Sequence, residues 1–481
     1  MRLPHLPPRP ADGARGGPHH RLRHPPPATR LPRRGRRDRA GCQRHRFKQL
    51  RAHPADRHER HGPARRPGDG SWTTADITVS TAADQIAVAP GKRVSERVEG
   101  ARRTARFVST APVGNFLAIQ SARFAVARQS AGGVDYSVYY HPAHAWNVDR
   151  MLKAMRASIG YYGKAFGPYQ FDRARIVETP AYRRGGGQSF PNTIAVGEGV
   201  FAWDVRDPNS LDLVTMLAAH EIAHQWWAGQ VLPARMQGAG LLTESLAQYS
   251  ALMVLKRLRG EGDIRLELRF QLDRYLAGRR TQTLAEQPLA SAGLDQDYIN
   301  YGKGALALYL LQHRLGEEAV NRALRRFVQR YRFTKAPYPR SLDLIATFRA
   351  EAKTPESQKL ITDLFERITL YDLKIDRPTA VRRPDGRWDV TVPVEARKAY
   401  ADGHGKERRA PLNEPIDIGL FTADPAHSTR EDVLKLEPRS IHSGRQLLRF
   451  VTDRRPTHAG IDPYNLYIDR NSADNVAPVV G

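Results

Sequence analysis

The chain of 481 residues contains a single cysteine, Cys42, and no run of apolar residues that approaches the 18 needed for a membrane-spanning helix. One cysteine excludes a disulfide within the chain and any metal site built from several thiolates. Histidine and carboxylate side chains are therefore the available metal ligands. The basic N-terminal residues are also not followed by the apolar segment of a secretory signal, so we expect the chain as given to be soluble.

Positive charge is abundant but concentrated at the N-terminus. Residues 1–70 hold 19 Lys and Arg against 5 Asp and Glu, which accounts for more than half of the net charge of +26. This segment is rich in Arg, Pro, His and Gly and cannot bury enough surface to offset chain entropy, so we expect it to be disordered. A polyanion-binding arm is one interpretation. The composition changes abruptly near Ser71, which favours the interpretation that residues 1–70 are not a natural functional part of the protein. We predict no specific nucleic-acid partner.

Beyond the basic segment, the period of the apolar residues divides the chain into three predicted domains. Residues 71–141 alternate between apolar and polar and predict the end of an N-terminal β-domain. Residues 142–371 begin with an amphipathic helix capped by Asn147 and continue into a helical tract. Residues 372–481 return to a period of two and predict a small C-terminal β-sandwich with a strand at Asn465–Ile468. The predicted fold class is α+β.

The strongest functional pattern is His220-Glu221-Ile-Ala-His224, within a stretch that predicts an apolar helix. Residues four apart lie on one face of a helix, so His220 and His224 can share one ion, and Glu221 lies about 100° round the axis. In this H-E-x-x-H arrangement the two His bind zinc and the Glu acts as a base toward water. A satisfied pair of core histidines is the alternative, but burying these groups without partners would be costly. The pattern therefore predicts a zinc site.

Catalytic zinc usually takes three protein ligands and leaves its fourth position to water. Glu244, on the next apolar-periodic stretch, is the candidate for the third ligand. Zinc lowers the pKa of its water, and Glu221 would take the proton and later deliver it to the leaving amine. Tyr301 is a candidate oxyanion donor, although a tyrosine at a helix start more often packs than reacts.

These patterns resemble the aminopeptidase N and leukotriene hydrolase family, the peptidase M1-like zinc gluzincins. The resemblance extends from Trp72 to Val479 and is carried by His220-Glu221-x-x-His224-Gln225-Trp226-Trp227, by Glu244 in Leu-Thr-Glu-Ser, and by Tyr301-x-Lys303-Gly304. It implies a thermolysin-like domain with one Zn²⁺ ion on His220, His224 and Glu244, with Glu221 as the base and Tyr301 at the oxyanion. It also implies a peptide as the substrate.

The likeness is closest to the peptidase-like half of bacterial fusions between a transporter permease and an aminopeptidase. It implies association with a membrane transporter permease. The leading hypothesis is a zinc metallopeptidase with aminopeptidase-like activity. The alternative is a catalytically weak or inactive zinc-binding module of a transporter, which would not require Glu221 or Tyr301.

The chain departs from the family pattern at two places. His224 and Glu244 are separated by 19 residues, one more than is usual in the family, and we predict the insertion between Gly229 and Gly240.

The second departure concerns the glutamate that binds the free α-amine of the substrate in this family. Alignment places Ser189 at its position, or Gln188 with a shift of one residue. A neutral side chain binds an ammonium group less strongly than a carboxylate does, so aminopeptidase and endopeptidase specificity both remain open. We predict that Gln188, Ser189 and Asn192 contact the substrate, with ordinary loop polarity as the alternative.

Overall fold

The computed structural model describes residues 46–50, 72–183, 186–207, 210–426 and 428–481, with the backbone alone for 46–50 and 261–263. The rest of residues 1–70, for which the sequence predicts disorder, lies outside the described residues. Within the described ranges, no helix combines the length and apolarity needed to cross a membrane.

Two antiparallel sheets of three strands form the N-terminal β-region. Their strands are β1 (Arg46–Leu50), β2 (Asp76–Ala82), β3 (Ile86–Val88), β4 (Lys92–Glu99), β5 (Arg102–Val108) and β6 (Leu117–Ala122). The strand orders are β1-β6-β3 and β2-β5-β4. The sequence predicts disorder for residues 46–50, but they form β1, whose backbone pairs along its whole length with β6.

A mixed sheet of five strands carries the loop beside the predicted metal site. Its strands are β7 (Ala125–Ala131), β8 (Val134–Tyr140), β9 (Arg173–Thr179), β10 (Gly187–Phe190) and β11 (Thr193–Gly197). Their order is β10-β11-β9-β8-β7, in which β8, β9 and β11 are parallel and the two outer strands antiparallel. β8, which precedes the predicted boundary after residue 141, pairs with β9, which follows it, and the boundary itself stays a prediction.

Helices dominate the middle of the chain. They are α1 (Val148–Ala165), α2 (Glu198–Phe201), α3 (Leu213–Ala223), α4 (Leu246–Arg259), α5 (Glu261–Thr281), α6 (Gly304–Leu315), α7 (Glu317–Tyr331), α8 (Ser341–Glu351) and α9 (Pro355–Ile361). Single-turn π-helical segments at Leu241–Ser245 and Tyr298–Lys303 lead into α4 and α6. α1 and α3 pack on the five-stranded sheet and on α4, and α4 packs on α6, in one continuous core.

Asn147 stands at the N-cap of α1, as predicted, but its side chain makes no capping hydrogen bond. Its amide instead donates to the backbone carbonyls of Val200, Phe201 and Trp203, at distances of 3.3, 3.1 and 2.9 Å. This residue therefore ties the start of α1 to α2 and the segment that follows it.

The C-terminal part of the chain contains two sheets, as predicted. Its strands are β12 (Ile368–Ile375), β13 (Thr379–Arg382), β14 (Trp388–Ala401), β15 (Glu407–Ala410), β16 (Asn413–Phe421), β17 (Val433–His442), β18 (Gly444–Thr452), β19 (His458–Ile461) and β20 (Val476–Pro478). β14 pairs with β12, β13, β15 and β18, and the second sheet has the order β17-β16-β19-β20. The α+β class is confirmed.

The predicted strand at Asn465–Ile468 is wrong. The Asp462 carboxylate accepts hydrogen bonds from the backbone N–H groups of Leu466 and Tyr467, both at 3.0 Å, and holds the segment in a turn. Such local side-chain bonds compete with strand pairing.

Buried ion pairs fix the C-terminal sheets to the helical tract. Lys398 on β14 is 2% exposed and donates to Asp363, at 2.6 Å, and to Glu414. His313 and Arg314 at the end of α6 contact Asp417 on β16, at 2.8 and 3.2 Å. Removing one partner of a buried pair leaves an uncompensated charge, so these contacts constrain how the two parts meet.

Candidate metal centre and active site

The last turn of α3 brings the two predicted histidine ligands together. The Asp212 carboxylate caps the start of α3 by accepting from the backbone N–H of Thr215, and the helix ends with His224 as its C-cap. The Nε2 atoms of His220 and His224 lie 3.1 Å apart. The helical period therefore produces the shared face that the sequence predicts.

Glu244 completes the cluster from the π-helical segment before α4. Its Oε2 atom lies 3.4 Å from His220 Nε2 and 3.5 Å from His224 Nε2. This oxygen is buried and accepts no hydrogen bond from a described residue. Tetrahedral bonds of the length that zinc makes to nitrogen and oxygen would hold ligand atoms about 3.3 Å apart, so the three residues fit a zinc ion.

Two polar contacts orient the imidazoles. His220 Nδ1 is 2.9 Å from Oε1 of Gln248, and His224 Nδ1 is 3.1 Å from the carbonyl oxygen of Trp227. Metal-binding histidines usually donate their other ring N–H in this way, which directs the free nitrogen at the ion. Gln248 is absent from the predicted site, although its position one helical turn after Glu244 was the available signal.

The charged groups of the cluster shift one another's pKa values. Burial would lower the pKa of His224, but Glu244 and Glu221 outweigh it and raise that pKa to about 9. Burial would raise the pKa of Glu244, but the two imidazoles hold it well below its usual range. The carboxylate therefore stays ionised, as a metal ligand must be.

Glu221 is on α3, and its side chain lies against the edge strand β10. The residue is 7% exposed. A Cβ atom placed on Gly187 would stand 2.6 Å from its Oε1, so the close approach of strand and helix requires glycine there. Burial raises the pKa of Glu221, opposed by the two histidines and by the backbone N–H of Ser189. A carboxyl shifted toward neutrality suits a general base.

Tyr301 packs against the same cluster from the second π-helical segment. Its ring stacks on the imidazole of His220 with 5.6 Å between centroids and 21° between planes. Burial and the neighbouring Glu244 carboxylate raise the pKa of Tyr301, so its hydroxyl keeps its proton and can donate it in a hydrogen bond.

The three residues predicted to contact substrate have different positions on the β10–β11 hairpin. Gln188 is exposed and Ser189 is half-buried. Asn192 is 1% exposed and has φ of 48°, a left-handed conformation that asparagine tolerates in turns. Its side-chain oxygen accepts from Gly91 N–H and Arg175, at 3.3 and 3.4 Å. Asn192 therefore lies in a buried turn and contacts other protein groups, and its contact with substrate stays a prediction.

Gln225, which follows His224 directly, fastens this hairpin to α3. Its Oε1 accepts from the backbone N–H of Asn192 at 2.9 Å. Its Nε2 donates to the carbonyl oxygen of Phe190 at 3.0 Å and to the hydroxyl of Ser189 at 2.6 Å. Sequence reasoning assigned no such role to Gln225, because its partners lie more than 30 residues away along the chain.

Gln225→Ala should lower the free energy of unfolding by about 1–3 kcal/mol, because it leaves buried backbone groups without partners. Turnover should fall as well, since β10 loses its attachment beside Glu221. Chemical denaturation and peptide hydrolysis measure the two effects. Gln129→Ala is the matched control, because Gln129 accepts its 3.1 Å bond from Arg156 at the surface. Equal stability of the two variants would contradict the assignment.

A second group of potential metal ligands, His144, Glu178 and Glu198, forms hydrogen bonds within the protein. His144 Nδ1 contacts Glu178 Oε1 at 2.6 Å, and the backbone N–H of His141 donates to Glu178 Oε2 at 2.6 Å. Glu198 accepts from the backbone N–H of Ala181 at 2.9 Å. We assign no ion to this group.

Part of the chain that contains the cluster is similar to known proteins. Residues 149–366 match the model of the Peptidase family M1 domain. The chain is 28% identical over 195 residues to Probable aminopeptidase 1 of Sulfurisphaera tokodaii, an alignment covering 38% of the chain and 24% of that protein. It is 24% identical over 216 residues to Endoplasmic reticulum aminopeptidase 2 of Homo sapiens, covering 43% and 22%.

A solved structure is also similar, the M1 zinc metallopeptidase mutant of Deinococcus radiodurans bound to a Tyr-Ser-Ala substrate. The TM-score is 0.48 at 18% identity, over 61% of this chain and 64% of that one. The chain spans about a quarter of the length of the two aminopeptidases, at 24% and 22%. All of the residues predicted for the site lie within the matched 149–366. The cluster therefore lies wholly within the part of the chain that is similar to the Peptidase family M1 domain.

Proposed function

We propose that the chain is a zinc-dependent peptidase that hydrolyses peptide bonds with an aminopeptidase-like preference. The observation that carries the proposal is the convergence of His220 Nε2, His224 Nε2 and Glu244 Oε2 within 3.1 to 3.5 Å. Glu221 and Tyr301, which a purely structural zinc site would not need, both lie against these ligands.

Each residue has a distinct role in the proposed reaction. Zn²⁺, when bound to the three ligands, supplies Lewis-acid chemistry toward water and the scissile carbonyl. Glu221 accepts the proton of the attacking water and returns it to the leaving amine. The Tyr301 hydroxyl donates a hydrogen bond to the oxygen that becomes negative in the tetrahedral intermediate.

The edge of the five-stranded sheet offers a place for the peptide. β10 is the outer strand, and Gly187 lies directly against Glu221. An extended peptide can add to an exposed strand edge through main-chain hydrogen bonds, with pockets for alternate side chains. A substrate bound in this way would pass along β10 beside the ligand cluster.

An aminopeptidase-like preference is supported by the relatives, which are named aminopeptidases. We expect about one zinc ion per purified chain, and unblocked peptides hydrolysed at least about tenfold faster than their N-acetylated forms, because acetylation removes a charged donor. Metal analysis and a panel of paired peptides measure these quantities. Equal rates on acetylated peptides would indicate an endopeptidase, and zinc-free protein with full activity would contradict the proposal.

A further inference from the structure

An arginine outside the proposed catalytic set lies against the tyrosine of the site. Arg274 is on α5, and its Cζ is 4.4 Å from the ring centroid of Tyr301. The same ring stacks on His220 at 5.6 Å. One aromatic ring thus joins the guanidinium to a proposed metal ligand.

Arg274 contacts the face of the Tyr301 ring but has no carboxylate partner among the described residues. It is half-buried, donates no hydrogen bond to them and forms no ion pair within 4.0 Å. Its acidic neighbours are Glu244, Glu267 and Asp297, which act on it only at longer range. A guanidinium that is partly withdrawn from water without a carboxylate is costly, and Arg prefers planar, two-point bonding to such a group.

None of these three acids forms an ion pair with Arg274 within the described ranges, and two of them have other contacts. Glu244 is held by the two imidazoles at 3.4 and 3.5 Å. Burial raises the pKa of Glu267 to about 7, and Gln271 donates to it at 2.7 Å. Asp297 is exposed to solvent and stands at the start of the π-helical segment that carries Tyr301.

The position of Arg274 relative to Tyr301 is fixed by close packing of α5 on that segment. A Cβ atom on Gly302 would lie 2.9 Å from the carbonyl oxygen of Gln271, and one on Gly278 would lie 2.2 Å from Cβ of Tyr298. The two glycines let helix and segment approach closely. A recognition group held in this way loses little conformational freedom when it binds.

We propose that Arg274 binds a carboxylate of the peptide substrate and so determines specificity, an inference that rests on the proposed peptidase function. The carboxylate comes either from the C-terminus of a short peptide or from an Asp or Glu side chain. Both present the same pair of oxygens to the guanidinium. The enzyme would then favour acidic or short substrates over neutral, extended ones.

The test is peptide binding by the zinc-loaded full chain carrying Glu221→Gln, measured by calorimetry. Four tripeptides of otherwise identical sequence are compared: a free C-terminus, its amide, the amide with Glu at one position, and the amide with Gln there. We expect at least one carboxylate peptide to bind about ten- to hundredfold more tightly than its neutral partner. The free-acid pair and the Glu/Gln pair report the two sources of the carboxylate separately.

Adding Arg274→Gln should reduce the ratio of the two affinities to about one, whereas Arg274→Lys should keep part of it because it retains the charge. Arg269→Gln is the matched control on the same helix, since Arg269 is exposed and paired with Asp273 at 3.2 Å. It should leave the ratio unchanged.

The inference is overturned if Arg274→Gln has the same affinity ratio as the parent, or if neither carboxylate pair shows a preference. In the chain without Glu221→Gln, a fall in turnover on Arg274→Gln that is equal for charged and neutral peptides would instead make Arg274 a positioning residue for Tyr301 and would also overturn the inference. These outcomes are distinct from failure of the proposed function, in which the chain without Glu221→Gln would hydrolyse none of the four peptides.

Discussion

Glu221→Gln should lower kcat/KM by about 10²- to 10⁴-fold and leave the zinc content unchanged, because the amide cannot accept the proton of water. The substitution preserves the size of the side chain, so the tight contact with Gly187 persists and the variant should fold. Peptide turnover and metal analysis of the same preparation measure both quantities.

Glu99→Gln is a suitable control, because Glu99 is 67% exposed on β4 and pairs with Arg97 at the surface. Equal rates for the unmodified chain and Glu221→Gln would contradict the proposed mechanism. A zinc-loaded chain that hydrolyses nothing in a broad panel would favour the alternative of an inactive zinc-binding module.

Glu244→Gln should weaken zinc binding by more than about 100-fold, since even residues that only support a ligand contribute 10- to 100-fold to metal affinity. The variant removes the anionic ligand and leaves two imidazoles. Competition with a chromophoric chelator measures the affinity, and turnover at limiting zinc should fall in parallel. Retention of zinc at the affinity of the unmodified chain would show that Glu244 is not a ligand.

The same titration over pH adds an independent check on the cluster. In the metal-free chain the raised pKa of His224, about 9, means that zinc must displace a proton at neutral pH. The apparent affinity should therefore rise by about tenfold per pH unit and level off above that pKa. Glu244→Gln removes a carboxylate that raises this pKa, so the affinity should level off at a lower pH.

The parts of the site that follow from local periodicity could be predicted from the sequence. The shared face of His220 and His224 follows from the helical repeat, as does the place of Glu221 on the same helix. The positions of Gln225 and Arg274 could not be predicted, because they depend on how α3 meets the hairpin and how α5 meets the Tyr301 segment.

Two local structures could also not be predicted from the sequence patterns, the turn at residues 465–468 and the buried turn at Asn192. The apolar residues at 465–468 have the period of a strand, but Asp462 satisfies the backbone of that segment and bends it into a turn. Asn192 belongs to a polar loop of the kind that can contact a substrate, and the tertiary fold buries its side chain against Arg175. In both segments the hydrogen bonds of one polar side chain, that of Asp462 or of Asn192, stabilise a turn that the sequence pattern does not show.

Glu244 and Tyr301 both lie in π-helical turns, which hold one residue more than α-helical turns do. The turns are joined by Ser245, whose hydroxyl donates to the carbonyl of Asn300 at 2.6 Å. Deleting one residue from either turn would restore the α-helical register and rotate its side chains by about 100° relative to the helix that follows. The site should consequently tolerate many substitutions in these turns better than any change in their length.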